Sequence, residues 1–243
     1  MNVRPSAREA ETGDRTSEYQ SFEDFYAEAY SQVLARAVLW CGGHREGAED
    51  AVQEAFAAAA ERWADQLCTY DLPEAWVFRI ATQRLGKFHR RVARSRDAAA
   101  SLPVPRASLP EETVEVRAVL SAMKRLPSRQ RTCLVLFSLQ GMSQDEIARE
   151  LCIKTAAVAS NIHKGRRSLE RSLGLRAGYG ADREGFAMPT TIAEAGRGRD
   201  PLATSLTAAE AWLRTVLAGD LGRGPWIVAA TDPAQDVRQG DSS

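Results

Sequence analysis

Gly141-Met142-Ser143-Gln144-Asp145-Glu146-Ile147-Ala148-Arg149-Glu150-Leu151, continued from Lys154 to Arg171, reads as two helices joined by a tight turn, the second of them basic. Ser143 and Glu146 form an S-x-x-E capping box: hydroxyl and carboxylate satisfy backbone donors that the first turn leaves open, so a helix starts at Gln144. Ile147, Ala148 and Leu151 then share an inward face, and the chain turns near Cys152-Ile153 into a helix beginning at Lys154 or Thr155. Its core face is Val158, Ile162, Gly165 and Leu169; its outer face is Ala156, Ser160, His163, Lys164, Arg167 and Arg171, cationic towards the C-terminal end. Upstream, Leu120, Met123, Leu126, Cys133, Leu134, Leu136 and Phe137 supply scaffold helices. A second helix of this kind lies in a major groove, with its early residues at base edges and flanking cations on phosphates. Duplex DNA is therefore the first partner to consider, and a protein-binding role of the same motif is the alternative.

Working outward, the formal net charge of zero hides an uneven distribution of sign. Met1 to Asp65 holds thirteen acidic and six basic residues, whereas Ala75 to Arg96 holds seven basic residues and no acidic one. Fields are local and screened within about 10 Å, so the local balance matters more than the total. A helix from about Gly47 to Trp63 places Ala51, Val52, Ala55, Phe56, Ala59 and Trp63 on one face. Asp50, Gln53, Glu54, Ala57 and Glu61 occupy the other, either as a solvated face or as an acidic docking surface. The next helix, near Glu74 to Arg94, buries Val77, Phe78, Ala81, Leu85, Phe88 and Val92 and lines up Trp76, Arg79, Ile80, Gln83, Lys87, Arg90 and Arg94 opposite. This stripe is either a solvated basic face or a nucleic-acid surface: cations combined with an amide and an exposed aromatic suit nucleic acid, and no acidic residue is interspersed to form pairs within the helix.

Periodicity and composition divide the chain into a polar, disordered lead-in (1–20), a helical region (21–96), a linker (97–112), a second helical region (113–175) and a C-terminal extension (176–243). Pro103, Pro105 and Pro110 make the linker an extended, flexible tether. No Val/Ile/Thr-rich alternation occurs before residue 175, so the expected fold is all-α: two small helical domains, the second a helix-turn-helix. In the extension, Leu202, Leu206, Ala209, Leu213, Val216 and Leu217 fall on one helical face, and Trp226-Ile227-Val228 is the one strand-like run. That extension is either weakly folded or carries a regulatory helix docking on one of the two domains. No apolar run is long enough to span a membrane and the N-terminus lacks an apolar signal segment, which points to the cytoplasm. Cys41, Cys68, Cys133 and Cys152 form no CxxC pair and read as reduced and structural; Cys41 with His44 supplies only two ligands, so no metal is expected.

With those residues in view, the chain resembles the extracytoplasmic-function sigma factors of the sigma-70 family of bacterial RNA polymerase subunits. The resemblance covers about Phe22 to Leu175. It rests on Ala48-Glu49-Asp50-Ala51-Val52-Gln53-Glu54-Ala55-Phe56, on Ala75-Trp76-Val77-Phe78-Arg79-Ile80-Ala81 leading to Arg90-Arg91, on Leu126-Pro127-Ser128-Arg129-Gln130-Arg131, and on Ser143 to Leu151. It implies a first domain that binds core RNA polymerase through Asp50, Gln53 and Glu54. The same domain would melt and read the promoter element near minus ten through Trp76, Arg79, Gln83, Lys87, Arg90 and Arg91 and the preceding loop, 64–73. It implies a second domain that reads the element near minus thirty-five through Thr155, Ala156, Ser160, Asn161, His163, Lys164 and Arg167, with the linker threading towards the polymerase channels. It implies no catalytic residue and no cofactor, and an anti-sigma factor as a possible partner. This chain departs from the family in carrying Cys152 where glycine is frequent, Lys154 where Ser or Thr is frequent, and Ala159 and Asn161 where cations are frequent. Gln83 and Lys87 likewise replace a common Asn and Asp.

Two other classes of function are weighed against this one. A stand-alone helix-turn-helix regulator would bind duplex DNA without polymerase, but it has no need of the acidic helix face or the Trp76/Arg79 stripe. A nucleic-acid enzyme is disfavoured because His44, His89 and His163 are far apart in sequence and no phosphate-binding glycine loop or metal-spaced carboxylate cluster occurs.

Overall fold

The computed structural model describes residues 19, 21–98, 113–175 and 200–221, with the side chains of 88–98 and 219–221 left aside. The described residues are helical and contain no strand: α1 Phe22–Trp40, α2 Arg45–Ala60, a short 3-10 turn Leu67–Thr69, α3 Pro73–Ala98, α4 Val114–Arg125, α5 Ser128–Ser138, α6 Gln144–Leu151, α7 Thr155–Leu173 and α8 Pro201–Leu221. Of the lead-in expected to be disordered, Tyr19 is described and packs edge-on against Phe25 at 5.1 Å between ring centroids; the rest of it, most of the tether and the strand-like run at 226–228 lie outside the described residues.

Local chemistry sets most of these boundaries. Ser21 caps α1 by accepting from the Asp24 amide at 3.1 Å, His44 Nδ1 caps α2 by accepting from Gly47 at 3.1 Å, and Thr113 caps α4 by accepting from Val116 at 3.2 Å. Pro73 opens α3, where its missing N–H costs nothing. Leu126 leaves the helical region before Pro127 and so separates α4 from α5.

Helices α1, α2 and α3 pack around an aromatic cluster in which Phe25 stacks on Trp63 at 4.8 Å between ring centroids and Phe56 lies 5.5 Å from Phe25. Helices α4 to α7 bury Leu120, Met123, Leu134, Phe137, Ile147, Val158, Ile162 and Leu169. Gly165 lets α7 cross α5 closely, since a Cβ there would lie 2.6 Å from Leu134 Cδ1.

The two helical groups are packed against each other, with α1 meeting α4 and α5, and α3 meeting α5 and α6. Gly42, at φ 72°, brings the α1–α2 turn so near α4 that a Cβ would meet Lys124 Cβ at 2.6 Å. Trp40 Nε1 donates to Thr132 Oγ1 at 3.0 Å, and the Arg131 guanidinium lies 4.2 Å from the Trp40 ring centroid while donating to the Trp40 carbonyl at 2.6 Å. Helix α8 completes the assembly by packing on α1 and α4 and touching α5 and α7. Leu202, Leu206, Ala209, Leu213 and Leu217 are buried, as the helical periodicity predicts, whereas Val216 is half-buried. The helix thus bridges both groups rather than resting on one domain.

Candidate nucleic-acid interface

The α6–α7 pair has the geometry that its sequence dictates. Ser143 Oγ accepts from the Glu146 amide at 3.2 Å, and Glu146 Oε2 accepts from the Ser143 amide at 2.7 Å, closing the capping box. Cys152 ends α6 in the left-handed region at φ 52° and is the one non-glycine residue there among the described residues. A Cβ disfavours this conformation, so glycine would be the unstrained residue at this turn. Lys154 occupies the N-cap of α7 without a side-chain hydrogen bond to the helix. Instead Thr155 Oγ1 donates to Asp145 Oδ1 at 2.8 Å, tying the start of α7 back to α6.

Thr155, Ala156, Ser160, His163, Lys164 and Arg167 form an exposed face of α7, whereas Asn161 is half-buried with its amide donating to the Ala157 carbonyl at 2.8 Å. The exposed face offers a hydroxyl-bearing N-terminal half and a cationic C-terminal half. Such a surface suits base edges and phosphates respectively.

The second expected surface, on α3, is arranged differently from its sequence pattern. Gln83 and Lys87 are exposed. Trp76, expected as an exposed aromatic, is buried at 8% exposure, with the guanidinium carbons of Arg79 and Arg62 at 5.7 and 6.0 Å from its ring centroid. Arg79 is half-buried and donates through Nε to Glu150 Oε1 of α6 at 2.6 Å. Helical periodicity puts both residues on one face, but the structure buries Trp76, with Arg62 and Arg79 over its ring. Periodicity also cannot show that Glu150 of the other helical group engages Arg79. The side chains of Arg90, Arg91 and Arg94 lie outside the described residues.

Asp50 and Glu54 are exposed on α2, and Gln53 is half-buried, bonded to the Tyr30 hydroxyl. Glu54 pairs with Arg84 of α3 across an open groove of about 550 Å³, also lined by His44, Glu46, Asp50 and Lys87. The acidic and basic faces therefore adjoin along one groove. Burial pushes the Cys41 thiol up to about 12 and the Cys133 thiol up to about 11, which leaves both as protonated packing groups rather than nucleophiles. No group of three potential metal ligands occurs among the described residues.

Two buried charge clusters were missed by sequence reasoning. Arg36, on the otherwise apolar inner face of α1, donates to Glu210 Oε1 of α8 at 2.7 Å and to the Leu139 carbonyl at the end of α5 at 2.9 Å. Arg166 of α7 forms a bidentate pair with Asp200 at 2.7 and 3.0 Å and also reaches Glu170 at 3.4 Å. Asp200 in turn accepts from the Leu202 and Ala203 amides at 3.1 and 3.3 Å, capping α8. Hydrogen bonds from Arg166 and the α8 backbone hold the Asp200 carboxyl below its usual range against the opposing effect of burial. Burial raises the Glu170 carboxyl, with Arg166 opposing it. The available signal was an arginine inside an apolar run, Val33-Leu34-Ala35-Arg36-Ala37-Val38-Leu39, since a buried guanidinium requires an anion.

Residues 116–169, which hold this helix-turn-helix, match the family model for sigma-70, region 4. A curated relative is the ECF RNA polymerase sigma factor SigE of Mycolicibacterium smegmatis, 28% identical over 169 residues, which are 65% of this chain and 63% of that protein. The chain thus spans less than two thirds of that relative's length. In fold it is similar to the sigma factor RpoE in a co-crystal structure with the anti-sigma factor NepR from Bartonella quintana, with a TM-score of 0.54 and 18% identity over 67% of this chain and 98% of that one. No helix among the described residues is long and apolar enough to cross a membrane.

Proposed function

We propose that the chain is a promoter-specificity subunit of extracytoplasmic-function type, which directs core RNA polymerase to its promoters and has no catalytic activity of its own. The observation that carries this reading is the exposed α7 face, Thr155 to Arg167, within a segment matching sigma-70 region 4. In this reading Thr155, Ala156, Ser160, Asn161, His163, Lys164 and Arg167 meet the element near minus thirty-five. Trp76, Arg79, Gln83, Lys87, Arg90 and Arg91 serve the element near minus ten, and Asp50, Gln53 and Glu54 meet core polymerase. Their roles follow from family position and residue type, to which exposure adds for Thr155, Ala156, Ser160, His163, Lys164, Arg167, Gln83, Lys87, Asp50 and Glu54. Polymerase, promoter DNA and an anti-sigma factor are the partners, and the cytoplasm is the compartment in which they would be met. The test is co-purification with core polymerase followed by run-off transcription on genomic fragments. Polymerase-dependent transcripts with defined starts are expected. Tight operator binding without polymerase and no transcript would instead establish a stand-alone regulator.

A further inference from the structure

We propose that α8 is a clamp in cis, which holds the two helical groups in a closed arrangement that withholds the Arg79 end of the α3 face from nucleic acid. The inference rests on the promoter-binding reading above. Three observations converge on it. The apolar face of α8 is buried against helices of both groups. Each group is also fastened to α8 by its own buried arginine: Arg36 of α1 to Glu210, and Arg166 of α7 to Asp200. The closed arrangement then places α6 on α3, so that Arg79, a candidate DNA contact, is spent on Glu150.

Distance makes this arrangement incompatible with promoter engagement. Arg79 touches Glu150, and Thr155 begins the next helix only five residues on, a chain length of at most about 18 Å. Elements near minus ten and minus thirty-five are about 25 base pairs apart, or about 85 Å of straight duplex at about 3.4 Å per pair. One closed molecule cannot occupy both. Opening must separate α3 from α6, and α8 ties both groups together beside the direct contacts of Trp40 with Thr132 and Arg131.

The test compares the full chain with Glu210→Lys, which opposes Arg36 with a like charge, with the swap R36E/E210K, and with Glu28→Lys as a control for added surface charge. Small-angle scattering reads compactness, and a labelled mixed-sequence duplex and its single strand read DNA binding. Glu210→Lys is expected to enlarge the radius of gyration and to tighten DNA binding about tenfold beyond the Glu28→Lys control, a size usual for coupling between sites. The swap should reverse both changes. Should Glu210→Lys fail to keep its helical circular dichroism, Asp200→Asn at the other anchor carries the same comparison. A folded variant as compact as the parent, or one that opens without gaining DNA affinity, overturns the clamp. Open variants that bind DNA tightly yet give no transcript with core polymerase would uphold the clamp and remove the promoter reading.

Discussion

Cys152 shows how far a single residue can be read from sequence. Its place in the tight turn was legible because Ser143 and Glu146 fix where α6 begins and Lys154-Thr155 where α7 begins; its φ of 52° is what that spacing demands. A side chain in the left-handed region costs roughly 1–2 kcal/mol, of which glycine's greater freedom in the unfolded chain returns a part. Cys152→Gly should therefore stabilise the protein by about 0.5–1 kcal/mol in urea denaturation. Lys164 and Arg167 belong to a different kind of reading, because exposure and charge assign them to phosphates without base preference. The double substitution K164A/R167A should weaken binding to a promoter duplex evenly across sequences and reduce the log–log salt slope by about 1.8, at about 0.9 per phosphate contact. An unchanged slope would remove both residues from the interface. Trp76 marks the limit of this kind of reading: helical spacing gives the direction of a side chain but not what lies over it, here the guanidinium groups of Arg62 and Arg79.

Among elements, α6 and α7 were nearly complete in sequence, since cap, apolar spacing and basic face all lie within thirty residues. Helix α8 was legible only as an amphipathic stretch. Its destination depends on Arg36 and Arg166, which lie 174 and 34 residues away from their partners. Such long-range pairs leave no periodic trace. Asp200 is the testable end of this helix, because it both caps α8 and neutralises Arg166. Asp200→Asn should cost about 2–3 kcal/mol at pH 7, less than the 3–5 kcal/mol usual for a broken buried pair, because Glu170 still faces Arg166. The pH dependence follows from the direction of each shift. Asp200 is held below its usual value, so its contribution is full above the ordinary carboxylate pKa and disappears as the pH falls through the lowered one. Glu170 is raised, so the fold gains from its protonation as the pH falls through its raised value. Thermal denaturation should therefore show the cost of Asp200→Asn unchanged from pH 8 to 5 and shrinking only in stronger acid. A cost that fades between pH 7 and 6 would contradict the assignment.

At the scale of the whole molecule, the all-α class and the order of faces follow from sequence, while the packing of one helical group on the other does not. The interface is built from contacts that look ordinary in isolation, such as Trp40 with Thr132, Arg131 over Trp40, and Arg79 with Glu150. Trp40 ends the apolar run that begins at Val33, whereas Arg79, Arg131, Thr132 and Glu150 carry no apolar signal that would announce a partner. Helix α8 follows the helix-turn-helix in the chain and is synthesised after it. At about 5–20 residues per second, the stretch from Leu175 to Leu221 takes roughly 2–9 s to synthesise. For that interval a nascent chain already holds its helix-turn-helix while Arg36 and Arg166 await their carboxylates. If α8 is the clamp proposed above, synthesis itself times the closure, and each new molecule passes through a brief open youth before α8 arrives.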